Sequence, residues 1–298
     1  MTTPTPVAPS RPAAAAPPPR KGRGDLRHMA ADRGLDLLMV VLALVVLFPL
    51  LYALGTSLKT TAEVNQYPPT LWPHVFNAGN YPDALRVAPI ARFLLNSFIQ
   101  SGAVTVGQLV TAALAAFAFS FIEFPGRQAL FFLFLSTLMI PAEVTLIPNY
   151  LTVRSLGWLN TYPALVAPFL ATAFGTFLLR QFFLTVPREL WDAARIDGCS
   201  RRRFLAQILA PLARPAFATL AIYAFLSTWN QYLWPLLVIN SQQMRTVQIG
   251  LAILQSQESV SWSLVMAGIV LIVAPTIFLF LIGYRHVVRG LTAGAVKG

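Results

Sequence analysis

The apolar residues of this chain come in blocks of bilayer-spanning length, and no other feature limits its fold so tightly. The blocks lie at about Asp36 to Thr56, Phe93 to Phe121, Ala129 to Tyr150, Tyr162 to Phe182, Ile208 to Ile239 and Trp262 to Tyr284. A helix rising about 1.5 Å per residue crosses the hydrocarbon core in about 20 residues. Backbone amides in lipid find no water, so each block must satisfy them within itself, as a helix. A transmembrane barrel would show alternating segments of about ten residues, and none is visible. Composition agrees. The chain of 298 residues is 56% hydrophobic and 11% charged, under half the charged share of about 25% usual in soluble domains. The expected fold class is all-α integral membrane, with six transmembrane helices.

The net charge of +11 would suit a nucleic-acid binder, but its placement points to a membrane. Lys and Arg concentrate on the cytoplasmic side of spanning segments. With the N-terminus inside, inner segments hold six in the N-terminal tail, Arg127, seven from Arg180 to Arg214 and three after Tyr284. Outer segments hold only Lys59, Arg86, Arg92, Arg154 and Arg245. The expectation is a multi-pass protein of a cell membrane, both termini cytoplasmic, touching anionic lipid and no nucleic acid.

Residues 1–33 are rich in Pro, Ala and Arg and poor in large apolar side chains, so they read as a disordered cytoplasmic tail. Residues 34–286 form the six-helix domain, and 287–298 a second cytoplasmic tail. The first apolar block is too long for a signal-peptide core and lacks a cleavage site, so it is read as retained. Cys199 stands alone, which excludes an internal disulfide. His28, His74 and His286 are scattered and outline no metal site.

One polar stretch is too organised for a plain connection. It runs Pro187 to Pro211, PRELWDAARIDGCSRRRFLAQILAP. Pro187 suits the start of a helix. Leu190, Ala193, Ala194 and Asp197 fall on one helical face. Arg188 with Asp192, and Asp192 with Arg195, are spaced for ion pairs. Gly198 sits where a left-handed cap is needed, and Ser200 can cap a second helix. Arg201, Arg202 and Arg203 then crowd that helix's first turn, where cations are unfavourable unless lipid phosphates or an acidic partner offset them.

This unit resembles the EAA loop of importer-type ABC transporter permeases, whose pattern is Glu-Ala-Ala, three residues, Gly, nine residues, Ile, any residue, Leu, Pro. Asp192, Ala193, Ala194, Gly198, Ile208 and Pro211 fall at those spacings, with Asp192 in place of Glu and Ala210 in place of Leu. PAEVTLIPNY from Pro141, WNQYLWPLL from Trp229 and GLTAGAVKG from Gly290 are similar to the carbohydrate branch, which includes permeases of maltose and glycerol-3-phosphate importers. The resemblance implies the type I permease fold and a loop docking on an ATP-binding subunit, with Glu189 and Asp197 added to the matched positions. It implies a second homologous permease, two ATP-binding cassette subunits and an extracytoplasmic solute-binding protein as partners. The implied function is ATP-driven uptake of a carbohydrate or sn-glycerol-3-phosphate. The chain itself contains no phosphate-binding loop pattern, so no cofactor is expected on it, ATP and Mg²⁺ belonging to partners, and it is not expected to be an enzyme.

Polar groups inside a membrane usually face a path or another helix. In the fifth block Trp229, Asn230, Gln231 and Tyr232 are candidates for a sugar pathway, by amide hydrogen bonds and aromatic stacking. Glu143, between Pro141 and Pro148 in the third block, is a further candidate. Asn96, Gln100, Thr105 and Gln108 in the second read chiefly as helix glue. No Lys or Arg sits mid-membrane, which favours a neutral substrate. The rival reading is a stand-alone secondary transporter or channel for small polar solutes, which leaves the loop unexplained.

Overall fold

The computed structural model describes residues 23–87, 89–256 and 261–292. Of the two expected tails, residues 1–22 and 293–298 lie outside the described residues, while 23–33 and 287–292 are helical, so the expected disorder does not extend to residue 33. All regular structure among the described residues is helical.

Two compact units divide after Leu51. The first is carried by helix α1, Arg23–Ser57, in which every described side chain from Arg33 to Leu51 is exposed. That stretch is continuously apolar, and leaving such surface in water costs about 25 cal/mol per Å². It is built for lipid or for another protein.

The second unit contains α2 (Asn80–Val87), α3 (Ile90–Phe121), α4 (Arg127–Met139), α5 (Ala142–Ser155), α6 (Tyr162–Phe169) and α7 (Ala173–Phe183). These are followed by α8 (Arg188–Ile196), α9 (Arg201–Leu212), α10 (Arg214–Trp229), α11 (Leu233–Val238), α12 (Val247–Ser256) and α13 (Trp262–Thr292). Its axis is α3, against which α7, α10 and α12 pack, while α13 packs on α10, α12 and α2. Ala112, Ala113 and Ala116 of α3 are buried with Leu179, Ala216 and Leu220. Without a hydrophobic drive between helices in lipid, such small residues let backbones approach and gain dispersion contacts. Gly107 marks one close approach: a Cβ there would run into the Leu170 side chain.

Three of the apolar blocks are bent rather than continuous helices. Among the described residues, Arg33–Ser57 and Ile90–Phe121 are long and apolar enough to cross alone. α4 and α5 meet at 97°, α6 and α7 at 46°, and α9 and α10 at 85°; counting each pair as one span gives five. The first bend falls at Ile140, held extended at φ −83°, ψ 116°, because a residue before proline avoids the helical region. Pro148 lies within α5, so of the two prolines flanking Glu143 only Pro141 stands at the bend. The bend after α6 frees carbonyls that α3 takes up: Gln108 Nε2 donates to Phe169 O at 2.9 Å and Thr111 Oγ1 to Leu170 O at 2.7 Å. The fifth block comprises the end of α9, a bend at Ala213, α10, and a break at Asn230–Tyr232 before α11.

The segment from Ser57 to Asn80 is folded rather than loose. Asn80 Nδ2 donates to Ser57 O and Lys59 O, both at 2.8 Å. Buried Lys59 donates to Thr70 O. Glu63 accepts from His74 N at 2.7 Å and Thr70 Oγ1 at 3.3 Å. The His74 amide holds the Glu63 carboxyl below its usual range, with burial opposing and the His74 charge and Thr70 assisting.

Candidate functional site

The Pro187–Pro211 stretch forms two helices around a capped glycine. Pro187 precedes α8 as its cap rather than opening its first turn. Gly198 adopts φ +73°. Its N–H donates to Arg195 O at 3.1 Å and the Cys199 N–H to Ala194 O at 2.8 Å, the paired bonds of a Schellman cap. A Cβ on residue 198 would meet nothing within 4 Å, so the requirement for glycine is the backbone angle, not space. Ser200 Oγ accepts the Arg203 N–H at 3.3 Å and caps α9.

Aromatic packing holds this unit to the end of α3. Trp191 lies edge-on to Phe204 at 4.8 Å and to Phe117 at 5.6 Å, and 6.1 Å from Phe121. Phe204 is fully buried. The buried face of α8 is therefore Trp191 and Ala194, while Leu190, Ala193 and Asp197 of the expected face are exposed. The expected partner of Arg188 changes as well. Its Nη1 meets Glu123 Oε1 at 3.4 Å, and neither Arg188 nor Arg195 is ion-paired with Asp192; Arg195 lies over the Trp191 ring at 6.0 Å.

Glu189, Asp192, Ala193, Asp197 and Gly198 stand exposed, Ile208 is half-buried and Pro211 exposed. An open pocket of about 620 Å³ lies beside them, lined by Glu123, Arg188, Trp191, Asp192, Arg195 and Arg201 among others. This surface offers charges of both signs around an apolar floor. It fits a protein contact, not a catalytic constellation; among the described residues no group of His, Cys, Asp and Glu could hold a metal.

The other sequence candidates separate. Trp229 is buried, 4.9 Å edge-on to Phe98 and stacked on Phe225 at 5.6 Å. Asn230 is exposed, donating to Leu226 O at 2.8 Å and accepting weakly from Gln248 Nε2 at 3.4 Å. Gln231 Oε1 accepts from Gln100 Nε2 at 3.0 Å. Tyr232 is exposed at the break before α11. Glu143 is exposed in the first turn of α5. Asn96 and Gln100 are buried and bond to neighbouring segments, as glue requires.

The family described as binding-protein-dependent transport system inner membrane component matches residues 21–293. The chain belongs to this family. The sn-glycerol-3-phosphate transport system permease protein UgpE of Rhizobium meliloti (strain 1021) is 39% identical over 264 residues, 86% of this chain and 94% of the relative. UgpE of Yersinia enterocolitica is 37% identical over 274 residues, 87% of this chain and 96% of the relative. A chain of a bacterial ABC transporter involved in import of the acidic polysaccharide alginate superposes with a TM-score of 0.78 at 24% identity, over 90% of this chain and 99% of that chain. A chain from a structure of a bacterial alginate ABC transporter in complex with alginate pentasaccharide-bound periplasmic protein gives 0.64 at 14% identity, over 87% of this chain and 94% of that chain. These two likenesses establish the fold.

In this permease the loop's anchor escaped sequence reasoning. Trp191 and Ala194 stand three apart, a usable signal, but their partners Phe117 and Phe121 lie some 70 positions away on α3.

Proposed function

We propose that this permease subunit pairs with a second, homologous permease to form the pathway of an ATP-driven bacterial importer for a carbohydrate or sn-glycerol-3-phosphate. The observation that carries this is the Pro187–Pro211 unit: a Schellman-capped helix pair, pinned by Trp191 to α3, presenting Glu189, Asp192, Ala193 and Asp197 outward beside an open pocket. One of two ATP-binding subunits docks there, and an extracytoplasmic binding protein delivers substrate to the opposite face. ATP and Mg²⁺ reside on the docked subunits and this chain binds no cofactor. The loop and both termini are cytoplasmic. A rigid link between α8 and α3 passes motor movement to the helices that bound the path, as alternating access requires. Asn230, Gln231, Tyr232 and Glu143 are the pathway candidates that keep an accessible surface. The names of the relatives support the substrate class.

The test is reconstitution. The permease pair with its ATP-binding subunits should hydrolyse ATP faster when loaded binding protein is added, and this chain alone should show no hydrolysis above background. Uptake by this chain alone, driven by an ion gradient, would establish the stand-alone transporter instead.

A further inference from the structure

The sequence places no cation mid-membrane, but folding brings Arg245 of an outer segment into the same cleft as Tyr232, one of the pathway candidates. A cleft of about 340 Å³ beside the break after α10 is lined by Tyr232, Asn240 and Arg245, with Leu236, Ile239 and Ile249 as apolar wall. The Tyr232 hydroxyl, the Asn240 side chain and the Arg245 guanidinium make no hydrogen bond within the described residues, and the two ion pairs found there, Arg86–Asp83 and Arg188–Glu123, leave Arg245 without a carboxylate. Three residues with side-chain donors therefore line one cleft without a protein partner among the described residues.

Their backbones are fixed from behind. Asn96, fully buried, donates to Arg245 O at 2.9 Å and Gln243 O at 2.8 Å, and its own carbonyl accepts from Tyr162 OH at 2.8 Å. The next amide but one, Val247 N–H, donates to buried Ser97 Oγ at 2.9 Å. Asn160 Oδ1 accepts the N–H groups of Asn240 at 2.6 Å and Ser241 at 2.8 Å. Arg92 Nε donates to Gln243 O at 3.3 Å, which brings a second cation to the same turn. A guanidinium on a clamped backbone, facing an apolar wall with two further donors, suits a phosphate or carboxylate oxyanion. A neutral sugar does not require the charge.

We propose that this cleft is an anion subsite, in which Arg245, helped by Tyr232 and Asn240, receives the phosphate or carboxylate group of the substrate at the mouth of the pathway. The inference rests on the importer reading above and narrows its substrate to anionic solutes. A lipid phosphate could supply the same chemistry, so the experiment separates the two sources.

The complete importer with its binding protein is reconstituted in vesicles of phosphatidylcholine alone and of phosphatidylcholine with phosphatidylglycerol. ATP-driven uptake of labelled sn-glycerol-3-phosphate, of an alginate oligosaccharide and of maltose is measured for wild type, Arg245→Gln and Arg245→Lys. The expected result is uptake of an anionic probe in both vesicle types. Arg245→Gln should raise KM at least tenfold, equivalent to about 1.4 kcal/mol, and Arg245→Lys should recover part of that. Uptake of maltose alone, an unchanged KM in Arg245→Gln, or an effect confined to phosphatidylglycerol vesicles would each overturn the subsite while leaving the importer intact. A wild-type complex that imports nothing under ATP would bring down the importer reading and the subsite with it.

Discussion

The two ends of α3 hold their neighbours by opposite means. At the Phe121 end, Phe117 and Phe121 grip Trp191 and Phe204 through aromatic packing, and the charged groups of the loop stay exposed. At the Ile90 end, Asn96, Ser97 and Gln100 grip backbone carbonyls and amides of the 160–247 region through hydrogen bonds. Ring packing is tolerant of small rotations, because it gains energy over a broad area. Amide–carbonyl bonds demand distance and angle together. The first suits a lever that must transmit load while a partner moves. The second suits a fixed rim that holds polar side chains in register.

The largest expected effect breaks the packed end. Trp191→Ala removes the ring that joins α8 to α3 and should cost about 3–5 kcal/mol. Co-purification of an ATP-binding subunit with the permease should then fall sharply while membrane insertion persists. Breaking the bonded end should cost less. Asn96→Ala takes a partner from Arg245 O and Tyr162 OH, while Gln243 O keeps Arg92 Nε, and because these groups lie at half-buried or exposed residues the loss should be about 1–3 kcal/mol in all. Its signature should be faster amide exchange over residues 241–247, with docking of the ATP-binding subunit unchanged. Exchange that accelerates equally in α8 would show that the two ends are not independent.

Gly198→Ala probes the lever without touching its anchor. An L-residue in the left-handed region costs about 1–2 kcal/mol, and no clash adds to it. Uptake should fall relative to ATP hydrolysis, and the β-branched Gly198→Val should fall further. Equal loss of both activities would indicate failed assembly rather than uncoupling.

The smallest effect concerns the folded segment near the Ile90 end. The Glu63 carboxyl is held below its ordinary value of 4.5 in the folded state. A depressed carboxylate contributes stability that is complete above its unfolded pKa and is lost as pH falls through the folded one. The His74 amide should therefore exchange faster in Glu63→Gln than in wild type at neutral pH. The gap should close only below the ordinary carboxylate range. A gap that closes near neutrality would assign the effect to another group.

What the sequence disclosed follows the range of the forces involved. Gly198 and Ser200 act on residues within a few positions, so their caps were legible before any fold was known. The continuous apolar runs of α1 and α3 were equally plain. The bends were not: Ile140 could be suspected from the proline after it, and Pro211 and Pro215 mark a weak point at Ala213, but neither sets the 97° or 85° angle. The spacing of Leu190, Ala193, Ala194 and Asp197 suggested a face one step out of phase, because Trp191 has its partners on α3. The cleft around Arg245 was invisible for the same reason. Residues 232, 240 and 245 belong to different local structures, and Asn96 and Asn160 bring them together from far away.

The central claim is that the Pro187–Pro211 unit is a handle gripped by an ATP-binding subunit. It is tested most directly by placing a cysteine at exposed Ala193, with Cys199 changed to serine, in the intact co-expressed importer. A short bifunctional reagent should then join this chain to the ATP-binding subunit in native membranes, with a yield that changes when ATP and Mg²⁺ are added. Failure to cross-link at any nucleotide state, in a complex that still imports, would contradict the account.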